Sequence, residues 1–197
     1  MSKPFSQACK NNQAAICEVL QKAFAASTAV LEVGSGTGQH AAYCAPRLPH
    51  VVWQTSDLPQ YHAGIAAWLA EAHCDTLQLP FRLDANAPPD INSQYDALFS
   101  ANTLHIMSPK SVEHFFSKVV SQLKPQANLC VYGPFNYNDQ FTSASNARFN
   151  DWLAQQNAHS GIRDFEWVNQ LATAQGFDLI QDYAMPANNR LLHWRRV

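Results

Sequence analysis

Residues 29–40 read AVLEVGSGTGQH, and the order of residue types in them admits few chain paths. Ala29 to Val33 is an apolar, branched run of the kind that fills a buried strand, although it carries a carboxylate, Glu32. Glycines at 34, 36 and 38 then supply a sharp turn, because a residue without a β-carbon reaches backbone angles closed to others. The chain resumes as a short helix, QHAAYCAPRL, stopped near Pro46 and Pro49. Strand, tight turn and helix together open a βαβ unit.

The rest of the chain repeats that alternation. Ahead of the first strand, Ile16, Val19, Leu20, Ala23 and Phe24 fall at spacings of three and four, the apolar side of a helix. HVVWQTSD is a second strand, AGIAAWLAEAH a helix and LQLPFRLDA a third strand. YDALFSANTL follows the proline-rich loop NAPPDINSQ as the fourth strand. Val112, Phe115, Phe116, Val119, Val120 and Leu123 stripe one helix over SVEHFFSKVVSQL, ended by Lys124-Pro125. ANLCVYGPF is strand five, and the polar, aromatic loop NYNDQFTSASNARF runs into the helix NARFNDWLAQQ. A last helix, FEWVNQLATAQ, stops at Gly176, and FDLIQDYAM and RLLHWRRV form a hairpin across PANN. The expected architecture is α/β: a mostly parallel sheet covered on both faces, made mixed by one terminal antiparallel hairpin.

Length and composition narrow the function classes. At 197 residues, with 47% hydrophobic and 14% charged residues and a formal net charge of -2, the chain reads as one folded domain over residues 1–197. The dense basic cluster, Arg190, Arg195 and Arg196, reads as a solvated strand edge, so no nucleic-acid partner is expected. Five cysteines form no C-x-x-C pair and no zinc spacing, so they read as core residues and no metal site is expected. No targeting segment or spanning run is evident, which sets the expectation of a cytoplasmic protein without membrane contact.

A ligand of an open parallel sheet sits beyond the carboxyl ends of the strands, where Gly34, Gly36 and Gly38 stand. The helix start beyond them suits a negative group. The spacing is G-x-G-x-G rather than the dinucleotide G-x-G-x-x-G, and a pyrophosphate gives the preceding strand no reason to bury Glu32. Left unpaired, that carboxylate costs several kcal/mol, on the order of the penalties for a buried charge. Either it caps a neighbouring loop, or it meets a cation. S-adenosylmethionine supplies an ammonium and a sulfonium, with a carboxylate for the helix start. Asp57 ends the second strand about 20 residues beyond the turn, where an acid accepts both ribose hydroxyls. Asp84 ends the third, within reach of the adenine amino group. Each acid alone also reads as a helix cap or loop residue.

LEVGSGTGQH, SDL, SANTLHIM, LKP followed by LCVYGPFNYN, FTSASNARF, GIRDFE and MPANNRLL together resemble the methyltransferase-like protein 26 family, nearly end to end from FSQACKNN. The resemblance implies a three-layer, Rossmann-like class I methyltransferase fold, a seven-stranded sheet and an S-adenosylmethionine site, with no known substrate. One departure is Gln126-Ala127, where methyltransferases often carry two glycines. Such an enzyme mainly holds a nucleophile against the methyl carbon and excludes water. Ser100 and Ala101 then lie near the cofactor, Asn102 beside them, and His105 is a structural hydrogen-bonder or a substrate contact or base. After strand five, Tyr132, Phe135, Asn136 and Tyr137 either contact a substrate, Tyr137 taking part in catalysis, or belong to a rigid turn set by Gly133-Pro134. Lys10 to Asn12 lie over the cofactor in related folds. Arg148 binds an acidic substrate group or is exposed, Arg163 and Asp164 help close the pocket or form only a helix-start pair, and Asn188 to Arg190 are turn residues, with a site role left open by the resemblance. The reading is methyl transfer to a small-molecule acceptor, against a non-catalytic S-adenosylmethionine-binding module and an NAD-dependent oxidoreductase.

Overall fold

A computed structural model describes residues 3–92 and 94–197; residues 1, 2 and 93, the last within the proline-rich loop, lie outside the described residues. Seven strands form one sheet: β1 (Ala29–Val33), β2 (Val52–Asp57), β3 (Leu77–Arg82), β4 (Ala97–Ala101), β5 (Asn128–Gly133), β8 (Phe177–Met185) and β9 (Asn189–Arg196). Their order is β3-β2-β1-β4-β5-β9-β8. The first five are parallel, while β9 runs antiparallel to both β5 and β8. A separate two-stranded ladder pairs β6 (Phe135–Asn136) with β7 (Arg163–Asp164) in parallel.

Both faces of the central strands are buried, which is why β1, β4 and β5 read as continuous apolar runs, while the outer strands β3 and β8 are largely exposed. Val30, Phe99, Cys130 and Tyr132 face one core with helices α1 (Gln7–Ala23), α2 (Gln39–Cys44) and α3 (Pro59–Ala72). Leu31, Val33, Leu98, Leu129 and Val131 face the other, with α4 (Pro109–His114) and α6 (Phe165–Thr173). A further helix, α5 (Ala144–Gln156), follows the long polar loop and buries Leu153. The strand order reverses between β1 and β4, which places a crevice at their carboxyl ends.

Three local expectations change. The single helix over residues 111–123 is instead α4, a wide π-type turn over Phe115–Val119 and a tight turn over Val120–Gln122. Its Ser117 and Ser121 hydroxyls each donate to the carbonyl four residues earlier, at 2.7 Å, a competition that bends helices. The C-terminal arginines do not sit on an edge, because β8 follows β9 outward. Arg196 donates to the carbonyls of Ser121 and Leu123, and Arg190 pairs with Asp182. At Gln126, where two glycines are usual, the backbone takes φ +63°, the left-handed turn imposed on an ordinary residue.

Candidate cofactor and acceptor site

The three glycines of the turn after β1 all have positive φ, at +74°, +58° and +88°, for three different reasons. A β-carbon at Gly34 would fall 2.5 Å from Thr103 Cγ2, and one at Gly38 would fall 2.9 Å from Ile65 Cα. These two glycines let the loop after β4 and helix α3 close on the turn. At Gly36 the nearest atom is the Gly34 carbonyl oxygen at 4.0 Å, so its missing side chain leaves open space. That is the face on which a ligand can approach the backbone.

Glu32 is 2% exposed. Its Oε2 accepts from Ser35 Oγ at 3.0 Å and from Trp53 Nε1 at 3.2 Å, both neutral donors. Burial pushes its carboxyl up to about 7, with Trp53 and Ser35 opposing and the charge of Asp57 adding. Neither donor is a cation, and the bond to Ser35 is the loop-capping contact that the sequence left open. Asp57, also buried, accepts from Gly36 N at 2.7 Å through Oδ2 and from Leu58 N at 2.7 Å through Oδ1. Glu32 and Asp57 therefore grip neighbouring residues of one turn. Asp84 lies two residues beyond the end of β3, and its Oδ1 accepts from Asn86 N at 2.9 Å, a loop-acid contact.

Helix α1 lies over this turn. Gln39 clamps the chain before α1, its Oε1 accepting from Ser6 N at 2.6 Å and its Nε2 donating to Ser6 O at 3.2 Å. Asn12 Oδ1 meets His40 Nε2 at 2.8 Å, and burial holds His40 down to about 4, so its ring is neutral. Pro4 O accepts from Trp68 Nε1 at 2.6 Å, and Lys3 pairs with Glu71 over the same indole. Asn12 falls in the segment expected over the cofactor, whereas His40 was not among the expected site residues; a polar side chain on an otherwise apolar helix face was the signal for it.

At the end of β4, Ser100 Oγ donates to Val33 O at 2.8 Å and meets Thr103 Oγ1 at 2.6 Å, tying the two central strands together. Ala101 is half-buried beside it, and Asn102 takes φ +58° while its N–H donates to Tyr132 O at 2.9 Å. His105 is 6% exposed, edge-on to Phe149 at 5.4 Å, with Nδ1 turned to Gly133. Burial, then the Arg163 charge, holds it down to about 4. Its ring is unprotonated at neutral pH.

The residues after β5 divide. Phe135 belongs to the core under α6, so it serves the scaffold and offers no open face to a substrate. Tyr132 is buried with the side chains of Asn12 and Asn189 beside its hydroxyl. Asn136 is buried on β6. Tyr137 stacks on Phe165 at 5.2 Å and donates its hydroxyl to Asp182 Oδ2 at 2.6 Å, while Arg190 Nε donates to Asp182 Oδ1 at 2.7 Å. Burial and Asp182 raise the Tyr137 phenol well above its ordinary range, so it holds its proton near neutral pH. Tyr137, Thr142, Met185, Asn188, Asn189 and Arg190 line a hollow of about 510 Å³ at this end of the sheet. Asn188 to Arg190 thus do more than turn the chain, and Asp182 joins them across the hairpin. Arg148 is exposed on α5 and takes part in none of these contacts. Arg163 turns away from Asp164, donating to the carbonyls of Leu104, Met107 and His159.

The sequence profile of a family described as a protein of unknown function, DUF938, matches residues 3–196. Among solved structures, the fold is similar to an O-methyltransferase family protein from Burkholderia thailandensis, at 18% identity and a TM-score of 0.81 over 93% of this chain and 56% of that one. A putative O-methyltransferase from Nostoc punctiforme gives 15% identity and a TM-score of 0.82, over 95% and 56%. Human N-acetylserotonin methyltransferase, solved with S-adenosylmethionine, gives 18% and 0.71, over 93% and 54%. This chain thus spans little more than half the length of the structures that it matches, and the likeness is one of fold.

Proposed function

The chain belongs to the DUF938 family, and we propose that it transfers the methyl group of S-adenosylmethionine to a small-molecule acceptor. The methyltransferase-like protein 26 resemblance read from the sequence is part of the same proposal. One observation carries it: beside a glycine turn with an open middle residue, Glu32 is a buried carboxylate whose protein partners are neutral. A ligand with a positive group supplies what that carboxylate lacks. The methyltransferase folds around this one support the reading, as does the crevice at the strand-order reversal.

When bound, S-adenosylmethionine supplies an electrophilic methyl carbon on a sulfonium leaving group. Glu32, through the turn, faces the positive methionine end. Asp57 orients the ribose, Asp84 the adenine amino group, and Ser100 and Ala101 line the cofactor from β4. Gly36 keeps the approach open. Helix α1 with Asn12 covers the site and excludes water. Neutral His105 has a ring lone pair with which to take a proton from an acceptor that carries one. Tyr137, whose proton is committed to Asp182, lines the acceptor hollow with Asn189, which stands beside the Tyr132 hydroxyl, and Asn102 holds the end of β5 behind them through the Tyr132 carbonyl. Among the described residues no helix is long and apolar enough to cross a membrane. A cytoplasmic location is part of the proposal.

Titration calorimetry with S-adenosylhomocysteine and with NAD tests the cofactor: binding of the first and not the second is expected, and the reverse overturns the proposal. Tight donor binding with no transfer of labelled methyl into a metabolite extract favours a non-catalytic module instead. A pH series adds a specific expectation. Because burial holds Glu32 near 7, binding a cation beside it expels a proton at lower pH, so donor affinity rises between about pH 5.5 and 8. In Glu32→Gln the rise from this group disappears. The sign for stability is opposite: a carboxyl raised in the folded state contributes stability at low pH that is lost as pH rises through about 7. Glu32→Gln is therefore expected to raise the melting temperature of the ligand-free protein at pH 8 relative to wild type.

A further inference from the structure

Asn136 and Asp164 are partners across the β6–β7 ladder, in parallel register. Residues opposite each other in such a ladder share a face with β-carbons about 5 Å apart. Asn136 is 8% exposed, and its Oδ1 is buried with no hydrogen-bond partner. The Oδ1 of Asp164 is in the same condition. Two orphaned acceptors on one face of one ladder are unusual, since most buried polar atoms are paired and each unpaired one is costly. Phe135, the preceding residue of β6, goes into the core, so alternation turns Asn136 away from it.

Asp164 also opens α6 without capping it, although an aspartate at that position ordinarily accepts from the first turn. Its surroundings are acidic. Burial first, then the charges of Asp139 and Glu166 and a side-chain hydrogen bond with Asp139, all raise its carboxyl. The one nearby cation, Arg163, spends its guanidinium on three carbonyls. The ion pairs among the described residues, Lys3–Glu71, Lys22–Glu18 and Arg190–Asp182, include none of these acids. Nor do the described residues contain three His, Cys, Asp or Glu side chains grouped to hold a metal ion.

The ladder stands beside His105. Gly161, two residues before β7, donates its N–H to the His105 carbonyl at 2.9 Å, and Arg163 Nε donates to Leu104 O at 3.2 Å. On the other strand, Asn136 follows by three residues Gly133, which adjoins the His105 ring, so the two Cα atoms are at most about 11 Å apart. We infer that Asn136 and Asp164 together hold a protonated amine of a small-molecule ligand, placed by the β6–β7 ladder against the His105 loop. An ammonium has three donors, enough to satisfy both orphaned oxygens and leave one outward. The inference rests on the proposed methyl transfer only in naming that ligand as the acceptor.

The test uses the full chain saturated with S-adenosylhomocysteine and titrated calorimetrically with benzylamine, benzyl alcohol or benzoate, three ligands alike except for the group in question. Benzylamine is expected to bind at millimolar concentration, benzyl alcohol at least about tenfold more weakly, and benzoate not at all. Asp164→Asn is expected to weaken benzylamine at least about tenfold while changing S-adenosylhomocysteine affinity by less than about twofold. The amide that this substitution introduces can donate to Asn136 Oδ1, so the melting temperature should hold or rise by about 2–4 °C. Asn136→Ala, which removes the other orphaned oxygen, should likewise weaken benzylamine selectively.

The inference is overturned if benzylamine gives no heat, if benzoate binds as well, or if Asp164→Asn binds benzylamine unchanged. It is also overturned if both variants melt well below wild type, since the two acceptors then serve the fold. Failure of S-adenosylhomocysteine to bind wild type is a separate result: it removes the methyl-transfer reading, and the benzylamine titration of the ligand-free chain then decides the amine site.

Discussion

Gly38→Ala is expected to destabilise the protein by about 3 kcal/mol, the sum of a left-handed backbone penalty and an overpacked contact. In a chain of this size that corresponds to a fall of about 6–12 °C in melting temperature, measured by circular dichroism. The reason is the neighbour. The added β-carbon would stand 2.9 Å from Ile65 Cα and 3.2 Å from Ile65 O, and a helix backbone cannot swing aside as a side chain can. Gly34→Ala makes a shorter contact, 2.5 Å, but with the Thr103 methyl, whose rotation relieves it in part. Gly36→Ala meets only the backbone penalty of about 1–2 kcal/mol, yet it fills the face left to the cofactor. The expected pattern is an inversion: Gly38→Ala loses most stability, and Gly36→Ala loses most affinity for S-adenosylhomocysteine relative to its stability loss. If Gly38→Ala melts no lower than Gly36→Ala, the close approach of α3 to the turn is wrong.

Asp57→Ala is expected to weaken S-adenosylhomocysteine binding by about 1–3 kcal/mol, roughly 5- to 150-fold, by calorimetry. Two losses combine. The ribose hydroxyls lose a charged acceptor, and Gly36 N loses the oxygen that holds it at 2.7 Å, so the turn is less ordered before the ligand arrives. Asp57→Asn separates them: an amide keeps one acceptor oxygen and offers a donor where Gly36 N or Leu58 N also donates, so it should fall between wild type and Asp57→Ala. Affinity unchanged in Asp57→Ala removes the residue from the ribose site.

The strand–glycine–helix opening was legible because its chemistry is local: φ above zero at three close positions is a demand that a sequence states openly in glycines. Strand five and the terminal hairpin were legible for the same reason, as apolar runs bounded by prolines, glycines and asparagines. The helix after β4 was less so. Its stripe of Val112, Phe115, Phe116 and Val119 is helical in spacing, and the wide turn inside it arises from serine hydroxyls competing for the backbone. Arg163-Asp164 read as a helix-start pair by adjacency, yet neighbours on a strand point to opposite faces, and Arg163 reaches the loop after β4 instead.

By itself the sequence determined the alternation of strands and helices, the burial of both faces of the central strands and the presence of acids at the glycine turn. Those follow from residue type and period, properties that each segment carries alone. Only the tertiary structure decided which acids share a turn, that Phe135 belongs to the core, that β9 is an inner strand and that Asn136 faces Asp164. Register between segments far apart in the chain sets these relations, and a pairing across 28 positions leaves no trace in the local pattern of either strand.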